Sequence, residues 1–505
     1  MSSDRSWRWT DAHYCGLTSQ TNIYGMTRIT NVNGTNRLLV ASLKGDVVSV
    51  EYKKIQNKLK PCSRAVQFTY IPADAEIVSI DIMNKCDPGS GLVVGITFIR
   101  LQGDDNKPTG QFLNLYFSFE ENSEEVKQDI MAKTIELSFV PYQLTHTLLV
   151  HNNDNKESIF LLCGSDNKIH MYKDEADNNF LEENPIEYFP EFKDCDSSTL
   201  RLVIKYTDNY TKRLTAMGFQ SGTVKFSLVD VQNNVILKSW CSAHGNPITS
   251  IVIFNPQNQV PCPSFIESSQ ENGGIDEERT LIYHLLVTSA LMPAVVYRNV
   301  LVEGLEDCLT LPNSEKYDSP LCSCVVDIDF DGQNEILIGT YGQELLAYKY
   351  TQNDAGSTLK QTEDFIPDIK KRLKFKTLME ESETLNLKKL KSSLESVASS
   401  ASQSHSNESS PDRNCKKEGF ELLWTRSFAY PVVGVDSIDI MGDGMEDLAV
   451  VTLKGLHILQ PNLSEVAKVC LERLRILADT GSEVGDAYLE LQNESLEGEM
   501  GNISN

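Results

Sequence analysis

Short apolar runs recur along the chain in pairs, each pair joined by a polar or glycine-containing turn. The stretch RLLVASLKGDVVSVEY, from Arg37 to Tyr52, shows the pattern clearly, and SIFLLCGSDNKIHMYK, from Ser158 to Lys173, repeats it. Apolar runs of this length, bounded by turn residues, predict strands joined as hairpins. Repetition of such a unit along a chain indicates a β-propeller, in which each repeat forms one blade.

About seven of these units can be counted, and this number lies within the usual range for propellers. They occupy residues 37–52, 91–119, 158–173, 213–230, 283–299, 325–350 and 447–460. Their spacing is irregular because polar insertions separate the strands. A chain of 505 residues is long for one ordinary domain, but a propeller accommodates several hundred residues in a single ring.

The sixth unit contains an acidic loop, DIDFDGQNE, between two apolar runs. Asp327, Asp329 and Asp331 alternate along it, and Glu335 closes it. Alternating carboxylates on a tight loop converge on one point, which suits a hard cation such as calcium. An EF-hand would need a bidentate carboxylate at the twelfth loop position, which is Ile338 here. The loop is therefore predicted to join two strands of a blade.

Two interpretations of this loop stay open. In the first, a structural calcium ion binds Asp327, Asp329, Asp331 and Glu335 and pins the hairpin without taking part in catalysis. In the second, the aspartates bond their own backbone in a turn, and no metal is needed. The sequence indicates no other cofactor.

The seventh unit repeats the acidic loop less completely, in SIDIMGDGMEDLAVV. Asp439, Asp443 and Asp447 stand at the first, third and last acidic positions, but Met441 stands at the second. The missing acid argues against a second calcium site. We interpret the acidic loop as an ancestral feature of the blades that most copies have lost.

The remaining chain divides into further segments. Between the last two units lies a Lys- and Ser-rich insertion whose serine tract lacks aromatic residues, a composition that predicts disorder. The expected domains are blades one to six at 20–351, the disordered insertion at 352–419, the last blade at 420–461, an amphipathic helix at 462–480 and an acidic disordered tail at 481–505.

The predicted C-terminal helix carries an apolar stripe along one face. The stripe consists of Leu463, Val466, Ala467, Cys470, Leu471, Leu474 and Leu477. Either this face packs back onto the ring or it binds a partner, and the pattern alone favours neither.

Charge and composition restrict the class of protein. The formal net charge is −25, so no basic excess is present to meet phosphates, and nucleic-acid binding is not expected. The first residues lack the apolar core of a secretory signal. The uncharged stretch 280–297 contains a Met-Pro break and β-branched residues, which favours buried strands over a transmembrane segment. Twelve scattered cysteines are typical of reduced thiols in a cytosolic protein.

Catalytic motifs are missing from the sequence. It contains no phosphate-binding loop, dinucleotide fingerprint, metalloprotease helix, kinase motif set or nucleophile elbow. Its eight histidines form no cluster with ligand-like spacing. We therefore expect no enzyme. A calcium-dependent adhesion ectodomain would use the same acidic loop, but the lack of a signal and of a membrane span disfavours it.

Several stretches resemble the kaptin family. They are NIYGMTRI, ASLKGDVVSVEY, FTYIPADAEIVSIDIMNK, GLVVGITFI, PAVVYRNVLVEGLEDCLTLP, YGQELLAYKY, FELLWTRSFAYP and LAVVTLKGLHILQ. The resemblance runs from about residue 20 to residue 480, and the insertion at 352–419 is longer than the family would lead us to expect. The expected fold class is thus all-β: a roughly seven-bladed β-propeller with FG-GAP-like repeats, plus a C-terminal helix and a disordered insertion.

The resemblance implies a non-enzymatic scaffold. The kaptin family belongs to KICSTOR, an assembly with an FG-GAP repeat propeller and other subunits. KICSTOR recruits the GATOR complex to lysosomes and restrains mTOR complex 1 when amino acids or glucose are scarce. The implied location is cytoplasmic and peripheral at the lysosomal membrane. The alternative is a cytoskeletal protein associated with actin filaments, at lamellipodia or stereocilia, for which the basic run Lys370–Lys376 is the obvious contact.

Overall fold

The computed structural model describes residues 9–29, 36–55, 58–85, 91–102, 107–118, 131–152, 155–175, 179–257, 282–351 and 419–471, together with residue 475. These residues form seven antiparallel sheets of four strands each. The first strand of each blade packs against the first strand of a neighbouring blade, so these strands lie innermost in the ring. The prediction of an all-β, seven-bladed propeller is confirmed.

The strands of blades one to three follow the chain from the ring centre outward. Blade one comprises β2 (Met26–Ile29), β3 (Arg37–Ala41), β4 (Val47–Ile55) and β5 (Lys58–Val66). Blade two comprises β6 (Ala75–Asn84), β7 (Leu92–Gln102), β8 (Lys107–Ser118) and β9 (Met131–Leu137). Blade three comprises β10 (Pro141–Asn152), β11 (Asn155–Gly164), β12 (Ile169–Asp174) and β13 (Phe180–Glu183).

Blades four to six continue in the same order. Blade four comprises β14 (Thr199–Thr207), β15 (Lys212–Phe219), β16 (Thr223–Asp230) and β17 (Val235–Ala243). Blade five comprises β18 (Ile248–Phe254), β19 (His284–Ser289), β20 (Val295–Tyr297) and β21 (Cys308–Thr310). Blade six comprises β22 (Pro320–Val326), β23 (Glu335–Thr340), β24 (Glu344–Thr351) and β25 (Gly419–Ser427).

Blade seven joins the two ends of the ring. It contains β26 (Val432–Ile438), β27 (Asp447–Thr452) and β28 (Gly455–Pro461), and its outer strand is β1 (Trp9–Gly16) from the start of the chain. Strands β1 and β28 pair antiparallel, with Trp9 opposite Pro461 and Gly16 opposite Gly455. A closure of this kind ties residues more than 400 positions apart into one sheet.

The hydrophobic core lies between neighbouring blades. Leu113, Leu115, Phe160 and Tyr172 pack together between blades two and three. Similar clusters lie between five other pairs of neighbouring blades. A middle strand such as β23 is buried along its whole length. Burial on both faces explains why the repeats contain near-continuous apolar runs instead of strict alternation.

Two of the expected domain boundaries differ from the blade boundaries that the structure shows. The expected start at residue 20 omits β1, and the expected last blade at 420–461 includes β25, which is the outer strand of blade six. Each difference has its own physical cause. The insertion separates the third and fourth strands of blade six, and the closure supplies the outer strand of blade seven from the opposite end of the chain.

Among the residues that the structure describes, three short 3₁₀ helices accompany the strands, at Pro185–Glu187, Pro190–Phe192 and Ser314–Tyr317. Helix α1 covers residues 463–471, and the Asn462 side chain accepts a hydrogen bond from the Ser464 N–H (3.0 Å) at its start. In the described part of the chain, no helix combines the length and the apolar character that a membrane span requires.

Contacts separate the ring unit, residues 1–349 and 420–505, from a second unit at 350–419. The predicted disordered insertion falls outside the described residues except for Gly419, and so does the predicted tail at 481–505.

Candidate cation site in blade six

The acidic loop of blade six connects β22 to β23. Asp327 directly follows the last residue of β22, and Glu335 is the first residue of β23. Glu335 is fully buried and Asp327 is 9% exposed, whereas Asp329 and Asp331 are half-buried. The strand ends therefore hold the first and last carboxylates inside the blade, and the two middle carboxylates lie nearer to solvent.

Asp327 organises the loop backbone. Its Oδ1 accepts a hydrogen bond from the Asp331 N–H (3.1 Å), and its Oδ2 accepts one from the Gly332 N–H (2.9 Å). Gly332 has a φ of 87°, a left-handed conformation that glycine adopts without steric cost. Asp331 Oδ1 accepts from the Gln333 N–H (2.9 Å). These are the turn bonds that aspartates beside a glycine are expected to make.

Lys349, on β24, lies at the centre of the loop. Its Nζ is 2.7 Å from Asp329 Oδ2, 2.6 Å from Asp331 Oδ2 and 2.8 Å from Glu335 Oε1. Burial alone would lower the pKa of Lys349, but the hydrogen bonds to the three carboxylates outweigh burial and raise this pKa. The ammonium is therefore charged at neutral pH.

Glu335 has a strongly perturbed carboxyl. Its pKa is raised to about 7: burial is the largest cause, the nearby Asp329 adds to the rise, and the hydrogen bond from Lys349 opposes both effects. Glu335 Oε2 also accepts a hydrogen bond from the Ile328 N–H (2.9 Å). The side chain thus connects the lysine to the backbone of the loop.

The loop fits a hard cation in its donor chemistry. One carboxylate oxygen from each of Asp327, Asp329 and Glu335 lies within 4.8 Å of the others, and such oxygens are the ligands that calcium prefers. Asp331, the fourth predicted ligand, lies outside this group. Asp329 Oδ2 and Glu335 Oε1 also face the Lys349 ammonium. Calcium binding here stays a prediction.

The corresponding loop of blade seven has the same backbone but no lysine. Asp439 Oδ2 accepts from the Gly444 N–H (2.8 Å), and Gly444 has a φ of 84°. Asp447 closes the loop and is 1% exposed. The register of β27 and β28 puts Gln460 beside Asp447, which is the position of Lys349 in blade six.

Asp447 is therefore buried without a cation. Its Oδ2 has no hydrogen-bond partner among the described residues. The pKa of Asp447 is raised to about 7, mainly by burial and in part by the neighbouring Asp443 carboxylate. At neutral pH this group is partly protonated, because no nearby cation favours its ionised form.

Comparison with known proteins decides the family. The family model described as "KICSTOR complex protein kaptin" matches residues 9–471. The chain belongs to the kaptin family. The mouse KICSTOR complex protein kaptin is 38% identical to it over 446 residues, which cover 88% of this chain and 85% of the mouse protein. The resemblance noted from the sequence is confirmed.

Solved structures also show similarity to this kaptin-family chain, all at 8% sequence identity. A BBS1N–ARL6DN complex soaked with mercury contains a chain that matches at a TM-score of 0.44, covering 90% of this chain and 97% of that one. Sqt1 of Saccharomyces cerevisiae matches at 0.42, with 92% and 100% covered. The Dos1 propeller matches at 0.43, with 91% and 97% covered. TM-scores this low support no argument.

The sequence pattern missed Lys349 as part of the site in this kaptin-family protein. The residue lies in the run ELLAYKY, where a lysine interrupts an apolar strand. Its place beside Glu335 follows only from the hairpin register, in which Ile336 pairs with Tyr348. A charged residue directly after the buried apolar run Leu345–Tyr348 was the available signal.

Proposed function

We propose that this chain is a non-enzymatic scaffold subunit of a KICSTOR-type assembly. In this role it recruits the GATOR GTPase-activating complex to lysosomes and restrains mTOR complex 1 when amino acids or glucose are scarce. The observation that carries the proposal is the family match, which spans residues 9–471 and therefore the whole described ring. Connecting loops on a rigid ring can carry partner contacts without disturbing the blades.

Helix α1 supports a role in assembly. Leu463 is 64% exposed and Leu471 is 57% exposed. Ala467 and Cys470, on the same predicted stripe, are exposed as well. Burial of such apolar surface is favourable by roughly 25 cal/mol per Å², so this face would gain free energy by docking against a partner. Of the two interpretations of the stripe, partner binding is the one that this exposure supports.

A capture experiment tests the proposal. The tagged full-length chain is expressed in cells, starved of amino acids or fed, and its partners are identified by mass spectrometry. We expect the FG-GAP repeat propeller, other KICSTOR subunits and GATOR subunits, whereas an unrelated seven-bladed propeller with the same tag should recover none of them. Recovery of none of these proteins would refute the proposal.

Signalling output gives a second test. Removal of the chain from cells should leave mTOR complex 1 active during starvation, and re-expression of the chain should restore the inhibition. Normal inhibition in the absence of the chain would refute the regulatory role, even if the capture experiment succeeded.

Actin association is a second candidate function, and one surface favours it. Actin filaments are acidic, and the predicted contact at 370–376 lies outside the described residues. In the described part, the outer hairpin of blade one exposes Lys54, Lys58 and Lys60. This surface is basic although the chain as a whole is strongly acidic, so it can attract a filament despite the net charge.

Cosedimentation with actin filaments tests this second function. We expect the wild type to pellet with filaments at low salt and the double variant Lys58→Glu, Lys60→Glu to stay in the supernatant. Lys168→Glu, at an exposed turn of blade three, is the matched control for charge reversal. Equal pelleting of all three proteins would exclude the blade-one hairpin as the contact.

A further inference from the structure

We propose that Lys349 is a tethered cation that takes the place of a structural metal ion in blade six, so that this blade is held together without calcium. The inference is independent of the proposed scaffold function. It concerns which cation the acidic loop uses.

The geometry of the Lys349 ammonium is the first argument for this assignment. A lysine ammonium has three N–H donors, and Nζ of Lys349 has three carboxylate partners at 2.6–2.8 Å. These distances are typical of charge-assisted hydrogen bonds. Every donor is therefore used, and each partner belongs to a different residue of the loop. A metal ion bound by the same oxygens would occupy the same point in space.

Competition between the two cations is the second argument. Calcium needs six to eight oxygen ligands, most of them at about 2.3–2.6 Å. Asp327 already directs both of its carboxylate oxygens at backbone N–H groups. Calcium would have to displace the Lys349 ammonium, whose side chain is 17% exposed, from Asp329 and Glu335. The displaced charge would stay next to a divalent ion, and repulsion between the two would oppose binding.

Blade seven shows what the loop does without a lysine. The two loops share the aspartate-capped turn, the positive-φ glycine and the buried closing acid. They differ at the neighbouring strand position, where Gln460 replaces the lysine. There the closing acid, Asp447, keeps an oxygen without any hydrogen-bond partner in the described structure. The lysine is therefore the element that satisfies the buried acid in blade six.

The tethered cation also connects to the closure of the ring. Glu335, bound to Lys349, accepts a hydrogen bond from the Ile328 N–H, and the Ile328 carbonyl accepts one from Trp9 Nε1 (3.2 Å). Trp9 is the first residue of the closing strand β1. The loop thus contacts the strand that completes the propeller, and a fixed internal cation keeps this contact independent of the calcium concentration.

Calcium titration of the full-length protein, with Lys349→Gln as the main variant, tests the proposal. This substitution installs the residue that blade seven uses. We expect no calorimetric heat from calcium chloride with the wild type, and no change in its Tm with millimolar calcium or with EDTA. Lys349→Gln should lower the Tm by roughly 5 °C or more, because the buried Glu335 and the half-buried Asp329 and Asp331 lose their counter-charge. Calcium should then recover part of that loss in the variant only.

Lys468→Gln is the matched control, since it removes the same charge from an exposed ion pair with Glu465 and should leave the Tm unchanged. A wild-type Tm in Lys349→Gln would overturn the proposal. Saturable calcium binding to the wild type that is abolished by Asp329→Asn would also overturn it, because a metal would then displace the lysine. Even if Lys349→Gln fails to fold, the wild-type titration shows whether calcium binds to the blade-six loop.

Discussion

At the scale of single residues, Arg213 on β15 of blade four forms a buried ion pair with Glu191, which lies on the 3₁₀ helix Pro190–Phe192. The side chains are 3% and 0% exposed, with Nε of the arginine 2.8 Å from Oε1 of the glutamate. A second hydrogen bond joins Nη2 to Oε2 at 2.9 Å, and the Thr215 hydroxyl donates to Oε1 at 2.8 Å. Because the two charges satisfy one another away from water, removal of either leaves a buried charge without compensation.

We predict that Arg213→Met lowers the free energy of unfolding by about 3–5 kcal/mol. The loss is measured by urea denaturation of the full-length protein. Lys468→Met, which removes a charge from an exposed pair, is the control and should change stability little. A loss below about 1 kcal/mol for Arg213→Met would contradict the prediction.

A second prediction concerns pH and Asp447. The pKa of this group is about 7 in the folded protein, well above its usual 3.8. Between these two values the folded state holds a proton that the unfolded state has released, so stability falls as the pH rises from about 4 to 7 and levels off above 7. Asp447→Asn cannot ionise, and it should therefore raise the Tm at pH 8 and flatten the profile.

The measurement is Tm against pH for the wild type and the variant. Asp443→Asn is an informative control, since it removes the neighbouring charge but keeps the buried carboxyl. It should make the descending part of the profile end at a lower pH, because Asp447 then ionises with less repulsion and its folded pKa falls towards the usual value, leaving a smaller total drop. If Asp447→Asn lowers the Tm at pH 8, the buried carboxyl is not the source of the pH dependence.

At the scale of elements, the strands and the helix follow from local sequence, whereas the exposure of the helix's apolar stripe is known only from the structure. Asn462 caps the start of helix α1, and the helix carries an apolar stripe. The sequence shows both of these features. The structure adds that Leu463 and Leu471 are largely exposed. An exposed stripe on a capped helix suits a docking element whose free energy is gained in an assembly.

We predict that the double variant Leu463→Ser, Leu471→Ser keeps the wild-type Tm but recovers less KICSTOR partner in the capture experiment. The Tm should stay because these side chains bury little surface in the ring. Lys468→Ser, on the same helix, is the control and should capture partners normally. A large fall in Tm would show instead that the stripe stabilises the chain itself.

At the scale of the whole molecule, closure of the ring depends on β1. Trp9 is 4% exposed, and its backbone carbonyl accepts a hydrogen bond from Arg426 Nη1 (2.8 Å). The strand pairs with β28 along its length. Without it, blade seven would keep three strands and expose the edge and face of β28 to solvent.

We predict that deletion of residues 1–16 lowers the Tm far more than deletion of residues 1–8, which leaves β1 in place. Trp9→Ala should cost about 3–5 kcal/mol by itself, as expected for a buried large aromatic side chain. Thermal unfolding and limited proteolysis of the three proteins measure the effect. Equal Tm values for the two deletions would show that the ring is stable without its closing strand.

The sequence predicts the repeats and the acidic loop, but not every strand pairing or side-chain contact. Repeats in the pattern predicted seven blades, and the alternating acids located the loop at 327–335. The assignment of β25 to blade six did not follow, because a long insertion separates it from β24. The role of Lys349 did not follow either, because the residue that it satisfies lies across a hairpin and the decisive quantity is a distance between side chains.

The sequence by itself determined the all-β class, the number of repeats and the kaptin family of this protein, because strand periodicity and turn residues are local properties of a chain. Only the tertiary structure decided which strand closes the ring and which residue satisfies the acids of blade six. Strand pairing between distant segments depends on the free energy of the whole ring, and a buried charge is stable only where folding brings its counter-charge within hydrogen-bonding distance.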